Sequence, residues 1–223
     1  MIHKLSKINP LVGQFLSEIR HTEIQQDRLR FRKNLERLGN ILAYEISKTF
    51  PTKMQEVSTE LGIADCYVLG EQPVLATILR AGLPLHNGML QFFDKADNAF
   101  ISAYRKHHKS GKFTIKLEAL SCPDLDNRIL ILCDPMLATG ASMSVTLKQL
   151  LEQGTPKKVH IATVIACSVG IDKIRTQFPN VHIWTAAIDE ELTAKGYIVP
   201  GLGDAGDLAC LLYTSDAADD VVG

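Results

Sequence analysis

Two hydrophobic rhythms divide this chain. From Leu35 through Leu38, Ile41, Leu42 and Ile46, apolar residues recur every three or four positions, the spacing that lines one face of a helix. Thr22-Glu23-Ile24-Gln25 has capping-box spacing ahead of them and Pro51 follows, so the pattern predicts one long amphipathic helix over residues 22–49. Further on the rhythm changes to short unbroken apolar runs at 73–79, 128–133 and 159–166. They are too short for typical helices and rich in Ile, Leu and Val, which fits strands buried on both faces. Residues 99–104 and 182–187 read as two more strands. In residues 113–117, Phe113, Ile115 and Leu117 alternate with Thr114 and Lys116, the period of a half-buried strand. Helices are predicted after Leu83 through Met89 and Phe92, over 145–151 with Gly154 as its stop, and over 170–178. Strand and helix alternating in this way predict an α/β fold, a mostly parallel twisted sheet with helices on both faces. Residues 9–12 read as an arm packed on another element, and residues 52–72 as an irregular polar excursion from the main sheet.

Ligands of such sheets sit beyond the carboxyl ends of the strands, so the strand-end loops are where chemistry is sought. Asp134 ends the central run, and Pro135-Met136-Leu137-Ala138-Thr139-Gly140-Ala141-Ser142 leads into a helix. A small-residue loop at a helix start offers unpaired N–H groups and the positive end of the helix dipole to an anion. Thr139 and Ser142 add hydroxyls, and Asp134 is placed for ribose hydroxyls or a hydrated metal ion. The plain alternative is a turn capped by Thr and Ser. Arg80-Ala81-Gly82-Leu83-Pro84 is a second such loop, able to cradle a pyrophosphate because guanidinium binds phosphate oxygens bidentately. An Arg paired with a surface carboxylate is its alternative.

The basic stretch from Arg105 to Lys112 reads as a hairpin tip; its adjacent His107 and His108, without nearby carboxylates, are a weak metal signal. Residues 196–207 hold four Gly, one Pro and two Asp, the composition of an irregular hood that exposes its backbone. A calcium turn is the alternative there, with few oxygen ligands to support it. Arg28, Arg30, Arg32 and Lys33 crowd one stretch of the first helix and read as a solvated face.

Composition narrows the class. With 46 % hydrophobic and 22 % charged residues over 223 positions, the chain can fill the core of one substantial domain. A net charge of −1 gives no overall attraction to nucleic acid or anionic membrane, so any phosphate must be held by local geometry. Cysteines at 66, 122, 133, 167 and 210 form no Cys-x-x-Cys pair, which suits a reducing compartment. No apolar run is long enough for a membrane span and no secretory segment opens the sequence, so a cytoplasmic location is expected.

The loop Asp134 to Ser142 resembles the ribose-phosphate loop of type I phosphoribosyltransferases. Its form Asp-Pro-Met-Leu-Ala-Thr-Gly is similar to that of the uracil phosphoribosyltransferases, with Pro135 where most other members carry a second acidic residue. Ile78 to Leu83 matches the family's diphosphate loop, Tyr104-Arg105 its Tyr-Arg before a mobile lid, and residues 196–207 its uracil-binding segment. The likeness runs from about Pro10 to Ala209. It implies transfer of the phosphoribosyl group from 5-phospho-α-D-ribose 1-diphosphate (PRPP) to N1 of uracil, giving UMP and diphosphate. It further implies that PRPP is held by Arg80, Arg105, Asp134, Pro135, Met136, Leu137, Ala138, Thr139, Gly140, Ala141, Ser142 and Asp204. Asp134, Arg80, Arg105 and Asp204 would be catalytic. Uracil would be met by Ala138 and by main-chain groups at Tyr197, Ile198 and Gly203. Mg2+ would arrive mainly on the diphosphate, with Asp204 assisting through water. A homodimer or larger homo-oligomer is the family's expectation, the amino-terminal segment helping subunit packing, and GTP is a candidate activator.

Two other readings compete on the sequence. A pyrimidine-sensing regulator on the same fold would need a basic face for RNA, and the cluster from Arg28 to Lys33 is thin support, so no nucleic acid is expected. An enzyme for another base conflicts with Pro135 and the Gly-Tyr-Ile-Val-Pro hood. Residues 210–223 break the family pattern and read as an atypical, foreign ending after a single domain over 1–209.

Overall fold

The computed structural model describes residues 1–7, 9–107 and 113–210, with side chains other than those of 104–107 and 113–117. In chain order it begins with β1 (Ile2–Lys4), α1 (Pro10–Arg20), α2 (Arg28–Ser47) and the strands β2 (Thr52–Thr59) and β3 (Gly62–Leu69). The middle of the chain supplies β4 (Val74–Leu79), α3 (Leu83–Leu90), β5 (Asp97–His107), β6 (Phe113–Ser121), β7 (Ile129–Cys133) and β8 (Met136–Leu137). Then come α4 (Ala141–Leu151), β9 (Lys158–Cys167), α5 (Ser168–Gln177) and β10 (His182–Asp189), and finally β11 (Glu191–Leu192), β12 (Ile198–Val199) and α6 (Ala205–Ala209).

The main sheet runs in the order β1-β10-β9-β7-β4-β5-β6, with the short β8 alongside β9. Every neighbouring pair is parallel except β5 with β6. This is the expected α/β architecture, buried on both faces. Along β7, Ile129, Ile131 and Cys133 pack with α1, α2 and α3, whereas Leu130 and Leu132 pack on the other face with Leu147 and Leu150 of α4 and Ile174 of α5. A two-residue period with apolar side chains on both beats is what an unbroken apolar run means in a central strand.

The amino-terminal third departs from the expectation. Residues 9–12 do not form an arm. Asn9 caps α1, its side-chain oxygen accepting from the Leu11 and Val12 N–H groups, with Pro10 in the first turn. The capping-box residues Thr22 to Gln25 are not the start of the long helix either. They lead into a single 3-10 turn, Ile24–Gln26, and Asp27 caps α2 by accepting from Arg30 N–H. Asp is a stronger cap than Thr and lies one turn closer to the apolar stripe. Residues 52–72 do leave the main sheet, but as a regular antiparallel hairpin, β2 with β3. Residues 108–112 of the expected hairpin tip, and 211–223 of the ending, lie outside the described residues. No helix among the described residues is long and apolar enough to cross a membrane, and all five cysteines are free.

At the amino ends of β1, β9 and β10 three histidines gather around one indole. His3 stacks on Trp184 at 3.7 Å between ring centroids, Trp184 Nε1–H donates to His160 Nδ1 at 3.0 Å, and the His160 and His182 rings lie 5.2 Å apart. His160 is fully buried, and burial, helped by the charge of Lys158 and the neighbouring imidazoles, pulls its pKa down to about 3. His3 and His182 are lowered as well, first by burial and then by the amino terminus and Lys158. A histidine neutral in the fold but protonated in the unfolded chain makes stability fall as pH drops. The contribution is whole above the unfolded value near 6.5 and is lost towards the folded value. We expect unfolding free energy to decline below pH 6.5, with a slope of up to about 1.4 kcal/mol per pH unit for each histidine taking up a proton. His160→Gln, which keeps an acceptor for the indole, should flatten the slope. Equal urea midpoints at pH 7.5 and 5 would contradict this account.

Candidate active site

The parallel register brings the sequence-predicted loops to one edge. Thr77 of β4 is opposite Cys133 of β7, Leu79 opposite Ser102 of β5, and Cys167 of β9 opposite Asp189 of β10. The turn at Arg80 and the loop from Asp134 are therefore neighbours, and Arg105 lies farther along β5 on the same side, its backbone paired with Ile115. Thr77 Oγ1–H donates to Cys133 O at 3.4 Å across the two strand ends. Burial pushes the Cys133 thiol far up, with the Asp134 charge adding to it, so this sulfur stays protonated beside the loop rather than serving as a nucleophile.

The loop holds its shape through the main chain. Asp134 N–H donates to Ala162 O at 3.1 Å, and Pro135 O accepts from both Val164 and Ile165 N–H at 3.0 Å. Met136 and Leu137 form β8 against Ile165 and Ala166, a strand that the sequence did not suggest. Gly140 then takes a left-handed φ of 72° and starts α4, with Ala141 N–H donating to Thr139 Oγ1 at 3.3 Å. Ala138, Thr139, Ala141 and Ser142 stay half-buried on the edge.

The hood begins where it can touch this loop: a Cβ on Gly196 would sit 3.4 Å from Thr139 Cγ2. Tyr197 N–H donates to Thr193 Oγ1 at 3.1 Å, and Tyr197 O accepts from Thr193 N–H at 2.8 Å. The next pair inward, Leu192 with Ile198, is then the non-hydrogen-bonded kind in an antiparallel ladder, so the Ile198 N–H and C=O face away from β11. Gly203 is exposed with φ 91°, and nothing stands within 4 Å of the place a Cβ would occupy. Asp204 caps α6, its Oδ1 accepting from Gly206 N–H at 2.8 Å and Asp207 N–H at 3.1 Å. Arg80 is exposed at the turn, and the Cys210 sulfur lies 4.0 Å from Arg80 O, so the hood ends beside the turn at Arg80.

The basic cluster on α2 is largely solvated as expected, with Arg28, Arg30 and Lys33 exposed, but two of its cations also reach the end of α6. Arg28 donates to Cys210 O at 2.9 Å and Arg32 to Ala209 O at 3.1 Å, satisfying carbonyls at the end of α6. Arg30 makes a two-point contact with Glu18 at 2.9 and 2.7 Å, and Lys33 pairs with Glu36 at 2.7 Å. Two of the four cations thus hold the hood from behind. The sequence signal was present as charge, but nothing in it showed that the far end of the chain returns to this helix. Arg20 and Asp189, which also grip the hood, carried no sequence signal at all.

Gly82 is where the two strand-end loops come closest. A Cβ there would collide with Thr77 Oγ1 and lie 2.7 Å from Ile78 O and 3.0 Å from Cys133 O. Backbone on two sides cannot yield, so Gly82→Ala should cost about 1–3 kcal/mol, lowering Tm by roughly 2–10 °C. Gly13→Ala, in α1 with nothing within 4 Å, is the control and should hold or raise Tm. Equal melting of the two variants would refute the close approach.

Comparison with known proteins agrees with this geometry. The family model described as uracil phosphoribosyltransferase matches residues 7–209. A protein named uracil phosphoribosyltransferase from Porphyromonas gingivalis is 51 % identical over 210 residues, covering 94 % of this chain and 97 % of its own. One of the same name from Pyrococcus furiosus is 37 % identical over 204 residues, covering 90 % and 86 %. Among solved structures, the AQ2163 protein from Aquifex aeolicus superposes with a TM-score of 0.85 at 34 % identity, covering 95 % of this chain and 99 % of that one. With its sheet, its paired strand-end loops and a family match over nearly all the described residues, the chain belongs to the uracil phosphoribosyltransferase family.

Proposed function

We propose that the chain transfers the phosphoribosyl group of PRPP to N1 of uracil, releasing diphosphate and forming UMP for pyrimidine salvage in the cytoplasm. The observation that carries this is the convergence on one sheet edge of the Arg80 turn, the 134–142 loop and a hood whose first glycine lies where a Cβ would meet Thr139. In this reading Asp134 holds the ribose hydroxyls, and the backbone from Pro135 to Ser142 grips the 5-phosphate at the start of α4. Arg80 and Arg105 stabilise the departing diphosphate, and the hairpin bearing Arg105 limits water at the activated sugar. The reacting carbon becomes cationic as the diphosphate leaves, so positioning and charge stabilisation suffice without a covalent nucleophile. Ile198 and Gly203 read the base through main-chain groups, those of Ile198 on the side away from β11, with Ala138 and Tyr197 at its edge. Cytosine would leave one of those groups mismatched.

Among the described residues no cluster of three or more His, Cys, Asp or Glu is arranged to hold a metal. A lone exposed carboxylate suits a hydrated ion that arrives on its substrate, and Asp204, with Oδ1 committed to two N–H groups, is the residue to meet it through water. When bound, Mg2+ neutralises charge on the leaving diphosphate. Residues 210–223, which follow the family match, belong in this reading to a foreign ending.

A second copy of this chain is the proposed partner. β2 and β3 form a two-stranded hairpin whose first strand is exposed along its whole length. Met54, Tyr67 and Ile63 share one of its faces, 56, 79 and 72 % exposed. An isolated hairpin of this kind is marginal in water, and an apolar face without a cover marks an interface.

Purified protein given PRPP, Mg2+ and uracil should form UMP by chromatography, and cytosine in its place should give none. Absence of UMP would refute the proposal. Asp134→Asn should lower kcat/KM for PRPP roughly ten- to hundredfold, the loss of a hydrogen bond to a charged acceptor. The same assay with added GTP tests activation. Light scattering should find a homodimer or larger species, and Ile63→Glu with Tyr67→Glu should shift it towards monomer; unchanged mass would exclude the hairpin as the contact.

A further inference from the structure

The turn at Gly201 joins the two hood segments to which base reading is assigned, Ile198 before it and Gly203 after it. Both polar groups of Gly201 are held from outside the hood. Its N–H donates to Asp189 Oδ2 at 3.0 Å, and its C=O accepts from Arg20 Nη1 at 2.9 Å. Arg20 and Asp189 are bonded in turn by two parallel contacts, Nη1 to Oδ2 at 2.8 Å and Nη2 to Oδ1 at 2.9 Å. A planar fork on a planar carboxylate fixes orientation as well as distance. Arg20 is the last residue of α1 and Asp189 the last of β10, so the turn is referenced to a helix end and a strand end. The side-chain amide of Gln25, oriented as the surrounding carbonyls require, adds bonds to Leu202 O and Ile19 O at 2.9 Å.

Gly201 also sits unusually close to Ile198. Its φ is 57°, and a Cβ on it would fall on Ile198 O. Any shift of the Gly201 peptide is therefore passed to the Ile198 carbonyl by contact. Burial alone would raise the Asp189 carboxyl, but hydrogen bonds from Arg20 and Gly201 and the nearby positive charges together hold it below the ordinary carboxylate range. The carboxylate is ionised and fully engaged at neutral pH, as a fixed strut requires.

We propose that Arg20, acting with Asp189, is a positioning residue for the base: it locks the Gly201 peptide and so sets the spacing of the Ile198 and Gly203 main-chain groups. This rests on the reading that the hood holds uracil. Arg20 lies behind the hood and acts through Gly201 rather than through contact with substrate. Its loss should raise KM for uracil and leave binding of PRPP alone little changed, since the 134–142 loop is anchored separately on β9.

The test uses the full chain with Arg20→Lys, which keeps the charge and loses the fork, and with the pair Arg20→Met and Asp189→Leu, which leaves no unpaired buried charge. Misplacement of a binding group by a fraction of an ångström to an ångström costs roughly ten- to hundredfold. KM for uracil should therefore rise about tenfold in Arg20→Lys and further in the double variant, while calorimetric binding of PRPP changes less than about threefold. In the unmodified protein with PRPP bound, uracil should shift the amide resonances of Ile198 and Gly203. If those resonances stay in place, the hood reading falls and the inference falls with it. If they shift and both variants keep KM for uracil within about twofold, the positioning role alone is overturned.

Discussion

In a parallel sheet covered by helices on both faces, the inner strands have free backbone polar groups only at their ends. That constraint organises this molecule. Side chains of β7 are buried on both sides, so its only chemically available residue is the one where the strand stops, Asp134. The same holds for β4 and the turn at Arg80. Because the strands are parallel and in register, their free ends fall on one edge, and loops far apart in sequence become neighbours there. The active-site candidates occupy that edge because both faces of the sheet are covered and its inner strands are paired along their length.

What could be read from the sequence follows from the same constraint. Runs such as residues 73–79 and 128–133 signal buried strands, and the residues that terminate them signal the edge, so the α/β class and the loops at Arg80 and Asp134 were legible. The likeness of residues 196–207 to a family segment located the hood. Less legible were features set by contacts between distant segments. β8 exists because Met136 and Leu137 meet Ile165 and Ala166, and its two residues are too few to show a period. α1 departs from the expected arm because Asn9 serves as its cap. The start of α2 was misplaced because two caps competed and the Asp stood nearer the helix. The hairpin of residues 52–69 lacks apolar alternation against the core, since no core lies beneath it.

The basic cluster on α2 shows a deeper limit. Charge on a helix face looks the same in sequence whether it faces water or the carbonyls of another helix. Arg30 and Lys33 take the ordinary role, paired with nearby acids. Arg28 and Arg32 instead satisfy the last carbonyls of α6, a helix more than a hundred and seventy residues away in the chain. With Arg20 and Gln25 they make the amino-terminal layer a backing for the hood, so packing and recognition are joined in one set of polar contacts.

That backing ties the fate of the hood to residues far from it in the chain. The hood follows residue 195, and the side chains that hold it and the helix after it from behind, Arg20, Arg28 and Arg32, all precede residue 33. On the proposed reading of the hood, a chain cut before Asp189 would lack the base-reading segments, and Arg20, Arg28 and Arg32 would lose the partners they have there. On that reading, selectivity for the base depends on contact between segments more than a hundred and seventy residues apart.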